Sequence, residues 1–160
     1  MAKVRTVALG SFTVDGGGIV VTDPCYEPGT WCASPPLPAR DGEWSAEVSV
    51  GGREGRVMEL RAFGPGFDAS LRSERGDFEV GVDSGQAGVF SAARFKGGRD
   101  EAFYEACCAA TLSAKQGGVV AGGCVSATGF GDGGYRARLW RDAAGLVCGV
   151  QVVFIPGGAR

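Results

Sequence analysis

Short apolar runs that end in glycine-containing turns restrict the fold of this chain more than any other feature. Glycine supplies 29 of the 160 residues, and it stands between apolar runs without a regular period. This distribution predicts many tight turns, because glycine adopts positive φ angles at low cost. Three turns pair aspartate with glycine and a fourth acidic turn follows a strand-like run: Asp15-Gly16-Gly17, Asp83-Ser84-Gly85, Asp132-Gly133-Gly134 and Asp23-Pro24-Cys25-Tyr26.

The apolar runs predict a mainly β fold. Residues 44–50 alternate apolar and polar side chains and lead into Gly51-Gly52, which indicates a strand and the tight turn of a hairpin. The run 146–155 is apolar on both faces and therefore predicts a central strand. One helix is predicted over about 100–115, capped by Asp100 and ended by glycine. We expect an antiparallel sheet sandwich, or a partly open barrel, with one packed α-helix.

The length of the chain predicts one globular domain. It would cover 1–160, with a core over about 4–155. Segment 27–42 contains four prolines, which exclude a helix interior and a central strand. We therefore expect this segment to be a surface loop.

The charge balance narrows the classes of partner. A formal net charge of -2 and a pI near 5.2 create no general attraction to nucleic acid or to an anionic membrane, so we expect neither partner. No run of like charge occurs; a local basic patch is compatible with this composition, but no sequence feature demands one. No apolar stretch reaches the length of a secretory signal or a membrane span, which predicts a soluble cytoplasmic protein.

Any chemistry must come from carboxylates and thiols, because the chain has no histidine. The six cysteines are expected to be free thiols in a reducing compartment. Cys25 and Cys32 are separated by six residues, which is wider than the usual zinc spacing, and Cys107 and Cys108 diverge on the predicted helix. We expect no metal site and no cofactor. A divalent cation at the acidic turns is the alternative.

The acidic turns allow two interpretations. Aspartate before glycine caps the amides of its own turn, which is a purely structural role. If several of these turns meet at one end of a sheet, however, their oxygens form a polar pocket for an unknown small molecule or protein. The two interpretations differ in one observable, which is whether Asp23, Asp83 and Asp132 meet in space.

An enzymatic alternative rests on Asp83 and Cys25. Val82-Asp83-Ser84-Gly85 resembles the hydrophobic-Asp-[Ser/Thr]-Gly element of aspartic proteases, in which two aspartates share a proton and activate water. A chain of this size would have to dimerise to supply the second aspartate. Cys25 is the thiol best placed for nucleophilic chemistry, at a turn beside proline, but it would need a base other than histidine.

Three motifs together resemble a known family. Thr22-Asp23-Pro24-Cys25-Tyr26, Val82-Asp83-Ser84-Gly85-Gln86-Ala87-Gly88 and Gly129-Phe130-Gly131-Asp132-Gly133-Gly134-Tyr135 are similar to segments of the bacterial and phage proteins grouped as domain of unknown function 4241. The resemblance extends over roughly residues 8–155, including the C-terminal hairpin after Tyr135. The chain departs from the family pattern at Arg136, where proline is common.

The resemblance implies a site but no established activity or cofactor. The ligand-binding residues that it implies are Asp23, Cys25, Tyr26, Asp83, Ser84, Asp132 and Tyr135. Together with the acidic turns, it predicts a soluble binding or interaction module of bacterial or phage origin. The aspartate-dependent hydrolase is the alternative.

Overall fold

Two antiparallel β-sheets and one helix make up the fold in the computed structural model, which describes residues 3–30 and 33–156. The first sheet has six strands in the order β1-β4-β5-β11-β10-β6, and the second has five in the order β3-β2-β7-β9-β8. The strands are β1 (Arg5–Val14), β2 (Gly18–Thr22), β3 (Leu37–Pro38), β4 (Gly42–Gly51), β5 (Arg56–Phe63), β6 (Ser73–Val82), β7 (Gln86–Ser91), β8 (Gly117–Val120), β9 (Gly123–Ala127), β10 (Gly133–Arg141) and β11 (Val147–Val153). The predicted mainly β sandwich with a single packed helix is confirmed.

The main core lies between the two sheets. Leu60 and Val150 of the first sheet and Val21 and Val89 of the second are fully buried in one continuous apolar cluster. Each of these side chains contributes about 1.5–3 kcal/mol through burial of its apolar surface. Strand β11 pairs with β5 on one side and β10 on the other, so the prediction that the last strand is central is confirmed.

Helix α1 (Glu101–Thr111) packs on the outer face of the second sheet. The carboxylate of Asp100 accepts a hydrogen bond from the amide of Phe103 at 2.9 Å, which confirms the predicted cap. Phe103 and Cys107 are the buried helix residues, and they join a smaller apolar cluster with Phe90 and Phe95. The helix therefore covers a sheet face that would otherwise be exposed.

The predicted end of the helix, about residue 115, was wrong. The helix ends at Thr111, and Gly117 and Gly118 begin β8 rather than terminating the helix. A Cβ at Gly117 would lie 2.8 Å from the carbonyl oxygen of Val125 on β9, so this glycine is needed for close strand pairing. Propensity favours helix over this segment, but the pairing of β8 with β9 overrides it.

The proline-rich segment is a loop with a short strand inside it. Leu37–Pro38 pairs with the start of β2 and forms one edge of the second sheet. The predicted loop over 27–42 also includes residues 31 and 32, which lie outside the described part of the chain. Across residues 3–30 and 33–156, no helix has the length and apolar character that crossing a bilayer requires.

Candidate functional site

Three chain connections meet at one end of the sandwich. Strand β7 runs antiparallel to both β2 and β9, and its start lies beside the ends of those two strands. The turn 83–85 enters β7 from the first sheet, the loop after Thr22 leaves β2, and the turn 128–132 leaves β9 for the first sheet. The strand directions alone therefore place these three connections together.

The carboxylate of Asp23 joins two of these connections. It is fully buried and accepts four hydrogen bonds from its own chain. Oδ1 accepts from the amide of Cys25 at 2.8 Å and from the hydroxyl of Ser84 at 2.6 Å. Oδ2 accepts from the amides of Asp83 at 2.8 Å and Ser84 at 2.7 Å. These four donors bind both oxygens of the carboxylate. Asp23 therefore fixes the two turns from below the surface of the site.

The third connection is attached through Asp132. Its Oδ1 accepts a hydrogen bond from the amide of Gly85 at 3.0 Å, and its side chain is exposed. Gly85 has a φ of 70°, a left-handed conformation that favours glycine. The structure thus brings together Asp23, Asp83, Ser84 and Asp132, as the convergence hypothesis requires.

Tyr26 and Tyr135 flank the junction. The backbone amide of Tyr26 donates to the carbonyl of Asp23 at 3.2 Å and closes the first turn. The hydroxyl of Tyr135 donates to the carbonyl of Gly131 at 2.7 Å, and its ring packs edge-on against Phe154. Burial raises the pKa of Tyr135, and the negative charge of Asp132 adds to this effect. In this structure the Tyr135 hydroxyl is engaged by its own turn.

Cys25 lies half-buried beside the Asp23 carboxylate. Burial, then the hydrogen bond to Asp23 and its negative charge, raise the pKa of Cys25 to about 12. At neutral pH the side chain is therefore a thiol, whereas nucleophilic catalysis needs the thiolate. This geometry does not favour Cys25 as a catalytic nucleophile.

Helix α1 contributes three residues that sequence reasoning did not assign to the site: Tyr104, Cys108 and Thr111. Tyr104 lies close to Ser84 and Cys108, and burial raises the pKa of its hydroxyl. The amide of Gln86 donates to the sulfur of Cys108 at 3.5 Å, while its oxygen accepts from Thr111 at 2.9 Å. These contacts extend the polar network from the turns to the helix. Helical spacing predicts one buried face formed by Phe103, Cys107, Ala110 and Ala114. Phe103 and Cys107 are buried, but Ala114 lies beyond the end of the helix and is exposed.

Asp15 lies at the opposite end of β2 from the three-turn site. It precedes β2, whereas Asp23 follows that strand, so the two aspartates occupy opposite ends. The guanidinium of Arg94 binds both carboxylate oxygens of Asp15, at distances down to 2.7 Å, and holds its pKa below the usual range. Asp15 therefore has a turn role, and the similarity between its turn and the Asp83 turn does not reflect a shared site.

Two exposed carboxylates and an aromatic ring lie on the outside of the junction. Asp83 and Asp132 are exposed, and Phe130, within the same turn as Asp132, has 76% of its surface exposed. Arg56 lies 4.8 Å from the centre of the Phe130 ring and donates to the carbonyl of Gly129 at 3.0 Å. These contacts fix the turn and leave most of the Phe130 side chain exposed.

The site residues assemble no evident metal centre or catalytic pair. Within the part of the chain that the structure describes, no group of three histidine, cysteine, aspartate or glutamate side chains is arranged to hold a metal ion. Proton sharing between two aspartates requires a second carboxylate close to Asp83 and shielded from water, whereas Asp83 is exposed. A dimer that joins two Asp83 residues stays a prediction of the hydrolase hypothesis.

Comparison with known proteins gave no match: no family model, no curated protein and no solved structure is significantly similar to this chain.

Proposed function

We propose that the protein is a binding module whose contact surface is the end of the sandwich formed by the three turns. The observation that carries this proposal is the buried Asp23 carboxylate with its four donors. A buried carboxylate is costly unless it is fully hydrogen-bonded. Because its four donors come from two turns that are distant in the sequence, Asp23 holds these turns in a fixed geometry. The surface above it is thereby preorganised, which lowers the entropy cost of binding.

The available groups suit a polar partner. Asp83 and Asp132 present carboxylates to solvent, and Phe130, two residues before Asp132, exposes a ring over which Arg56 lies. A carboxylate accepts hydrogen bonds from amines, amides or hydroxyls and attracts cations, while an exposed aromatic ring contributes apolar contact. We expect the ligand to be a small molecule or protein segment with hydrogen-bond donors and, at one end, a cationic group.

We further propose that the chain is related to domain of unknown function 4241. The three motifs behind that resemblance are in mutual contact: Asp23 binds the Asp83-Ser84 turn, and Asp132 binds Gly85. Motifs that are distant in the sequence but form one site are better explained by a shared architecture than by chance. This association is also the basis for proposing a bacterial or phage origin.

A cytoplasmic location is part of the same proposal. Five cysteines of the described residues, all except Cys32, which lies outside them, are free thiols. Free thiols are typical of proteins in a reducing compartment. The test is fractionation of cells that produce the chain at natural levels; recovery from an oxidising compartment or from membranes would contradict the proposal.

The binding proposal is tested with cationic small molecules and short basic peptides. We expect a polyamine such as spermidine, or a lysine-rich peptide, to raise the melting temperature of the wild-type chain at low ionic strength. The double variant Asp83→Asn/Asp132→Asn should lose this rise, because the exposed carboxylates are gone. Asp77→Asn is the matched control, since Asp77 is exposed on β6 outside the junction.

The same experiment distinguishes the alternatives. If the double variant and the Asp77→Asn control respond as the wild type does, the contact surface is not at the three turns. Activity against peptide substrates at acidic pH, lost in Asp83→Asn and accompanied by a dimer in solution, would favour the hydrolase instead.

A further inference from the structure

Three arginines line one depression on the outer face of the first sheet. Arg75, Arg136 and Arg138 surround a volume of about 250 Å³, together with Gln151 and apolar atoms of neighbouring residues. All three arginines are exposed. None of these residues belongs to the three-turn site.

Strand register brings these side chains together. Arg138 of β10 lies directly opposite Arg75 of β6 on one side and Gln151 of β11 on the other. Arg136 lies two positions before Arg138; the register with β6 shifts between them, but both arginines are exposed on either side of the buried Ala137 and line the same depression. The result is a row of side chains, Gln151-Arg138-Arg75, that crosses three strands with Arg136 beside it.

The charges of this cluster are not neutralised. Among the described residues, none of the three arginines forms an ion pair; Arg136 donates to the carbonyl of Gly76 at 3.4 Å and Arg138 to the hydroxyl of Ser73 at 3.1 Å. Like charges directly opposite each other in a sheet are destabilising. The Arg75–Arg138 pair therefore carries an unfavourable energy in the free protein.

Of the acids on β6, Glu74 pairs with Arg141, and Glu79 is turned away from the cluster. Glu79 lies opposite Arg136 in the register, yet its carboxylate extends over Gly134, where a Cβ would come within 2.2 Å of Oε1. On the β11 side of the cluster, Glu59 forms an ion pair with Arg61 and accepts a hydrogen bond from the side-chain amide of Gln151 at 2.7 Å. None of these acids neutralises the depression.

We propose that this depression binds a phosphate group of a ligand. Guanidinium groups present planar sets of N–H donors that match the oxygens of phosphate, and several of them around one cavity create a local positive potential. A bound dianion would convert the unfavourable Arg75–Arg138 pair into favourable contacts. A locally destabilising arrangement with no internal compensation is typical of a functional site.

The proposal is tested by titrating the full chain with inorganic pyrophosphate at low ionic strength, followed by calorimetry. We expect saturable binding that weakens as salt is added, because exposed charges are screened. Arg138→Gln should weaken the affinity about tenfold or more, since it removes charge-assisted hydrogen bonds. Arg53→Gln is the matched control, because Arg53 is exposed on the β4–β5 turn and does not line the depression.

A stability measurement separates a binding role from a structural one. Without ligand, Arg75→Gln should unfold at the same temperature as the wild type or a higher one, because it relieves the like-charge pair. With pyrophosphate, the wild type and Arg53→Gln should gain stability and Arg75→Gln should gain much less. If Arg75→Gln unfolds at a clearly lower temperature without ligand, the arginines are structural and the proposal fails.

Two measurements, pyrophosphate binding and vesicle sedimentation, identify the source of the phosphate. Binding of pyrophosphate alone indicates a soluble phosphorylated ligand, whereas sedimentation with phosphatidylcholine vesicles only when they contain phosphatidic acid indicates a lipid headgroup. A response to pyrophosphate no larger than that to sodium chloride at matched ionic strength, together with no vesicle binding, would overturn the proposal. Unchanged pyrophosphate affinity in both Arg75→Gln and Arg138→Gln would overturn it as well.

Discussion

Asp23 shows how a single buried charge organises distant parts of this chain. Its carboxylate has no contact with solvent, and its four donors belong to the turn that follows it and to the turn before β7. Each donor would lie buried or half-buried without a partner if the carboxylate were lost. At the scale of the residue, the chemistry of Asp23 is therefore that of a structural acceptor.

Asp23→Asn is expected to lower the free energy of unfolding by about 3 kcal/mol or more. The amide has nearly the same shape, but its NH₂ group would face backbone N–H donors in place of an accepting oxygen. Denaturant unfolding measures the change. Asp83→Asn is the control and should be nearly neutral, because that carboxylate is exposed; equal losses in the two variants would contradict the role of Asp23.

Cys25 is expected to alkylate slowly. Its pKa of about 12, against an ordinary value of 9.0, lowers the thiolate fraction near neutral pH by about a thousandfold. Iodoacetamide labelling followed by peptide mass spectrometry should show Cys25 reacting far more slowly in the folded chain than in a peptide covering 22–28. Equal rates would show that the thiol is neither shielded nor perturbed by Asp23.

At the scale of elements, tight turns and helix ends depend on a few backbone positions. Gly85 adopts a φ of 70° between β6 and β7, and Asp100 caps α1. Both features follow from local chemistry: glycine tolerates the left-handed region, and a short carboxylate satisfies an otherwise unpaired helix amide. These positions are sensitive to substitution even though they bury little surface.

Gly85→Ala is expected to cost about 1–2 kcal/mol of stability from backbone strain alone. A Cβ at this position would meet no atom within 4 Å, so crowding does not contribute. Gly85→Asn should cost less, because asparagine visits the left-handed region more readily. Thermal and denaturant unfolding of both variants test this order; a larger loss for Asn than for Ala would exclude the φ explanation.

Asp100→Ala is expected to destabilise the protein by about 1 kcal/mol through loss of the helix cap. Asp100→Asn should retain most of the stability, since its side-chain oxygen can still accept from the amide of Phe103. Hydrogen exchange at the first turn of α1 provides the local measurement. Unchanged exchange in Asp100→Ala would show that the cap is dispensable.

At the scale of the whole molecule, acidic turns attach separate parts of the fold to one another. Asp15 pairs with Arg94 after β7, and Asp142 in the β10–β11 turn pairs with Arg40 before β4. Hydrogen bonds from these arginines hold the pKa values of Asp15 and Asp142 below their usual range. Both pairs connect regions that are distant in the sequence.

These pairs predict a loss of stability in acid. Because the folded pKa values lie below the ordinary 3.8, their contribution is present above pH 3.8 and disappears as the pH falls through the lower folded values. Melting temperatures measured from pH 6 down to about pH 2 should therefore fall. Arg94→Gln should reduce the pH dependence and Arg53→Gln should not; identical curves for all three proteins would contradict the Asp15 contribution.

Patterns of neighbouring residues determined several features without knowledge of the structure. The alternation over 44–50 identified a strand, although Gly51 ends β4 and the turn itself lies at 52–55 with positive φ only at Gly52 and Gly55. The Asp100 cap and the apolar run of β11 were likewise evident. Side-chain periodicity, capping and turn chemistry act over a few residues, so a sequence records them directly.

The contacts between distant segments depended on the tertiary structure. Arg75 faces Arg138 only because β6 pairs with β10 in one particular register. The net charge of -2 gives no indication of the positive cluster that results. In the same way, the acidic turns could be identified as a group, but only the directions of β2, β7 and β9 placed Asp23 and Asp132 together and left Asp15 at the other end. Register and strand order arise from long-range pairing and core packing, which local patterns do not encode.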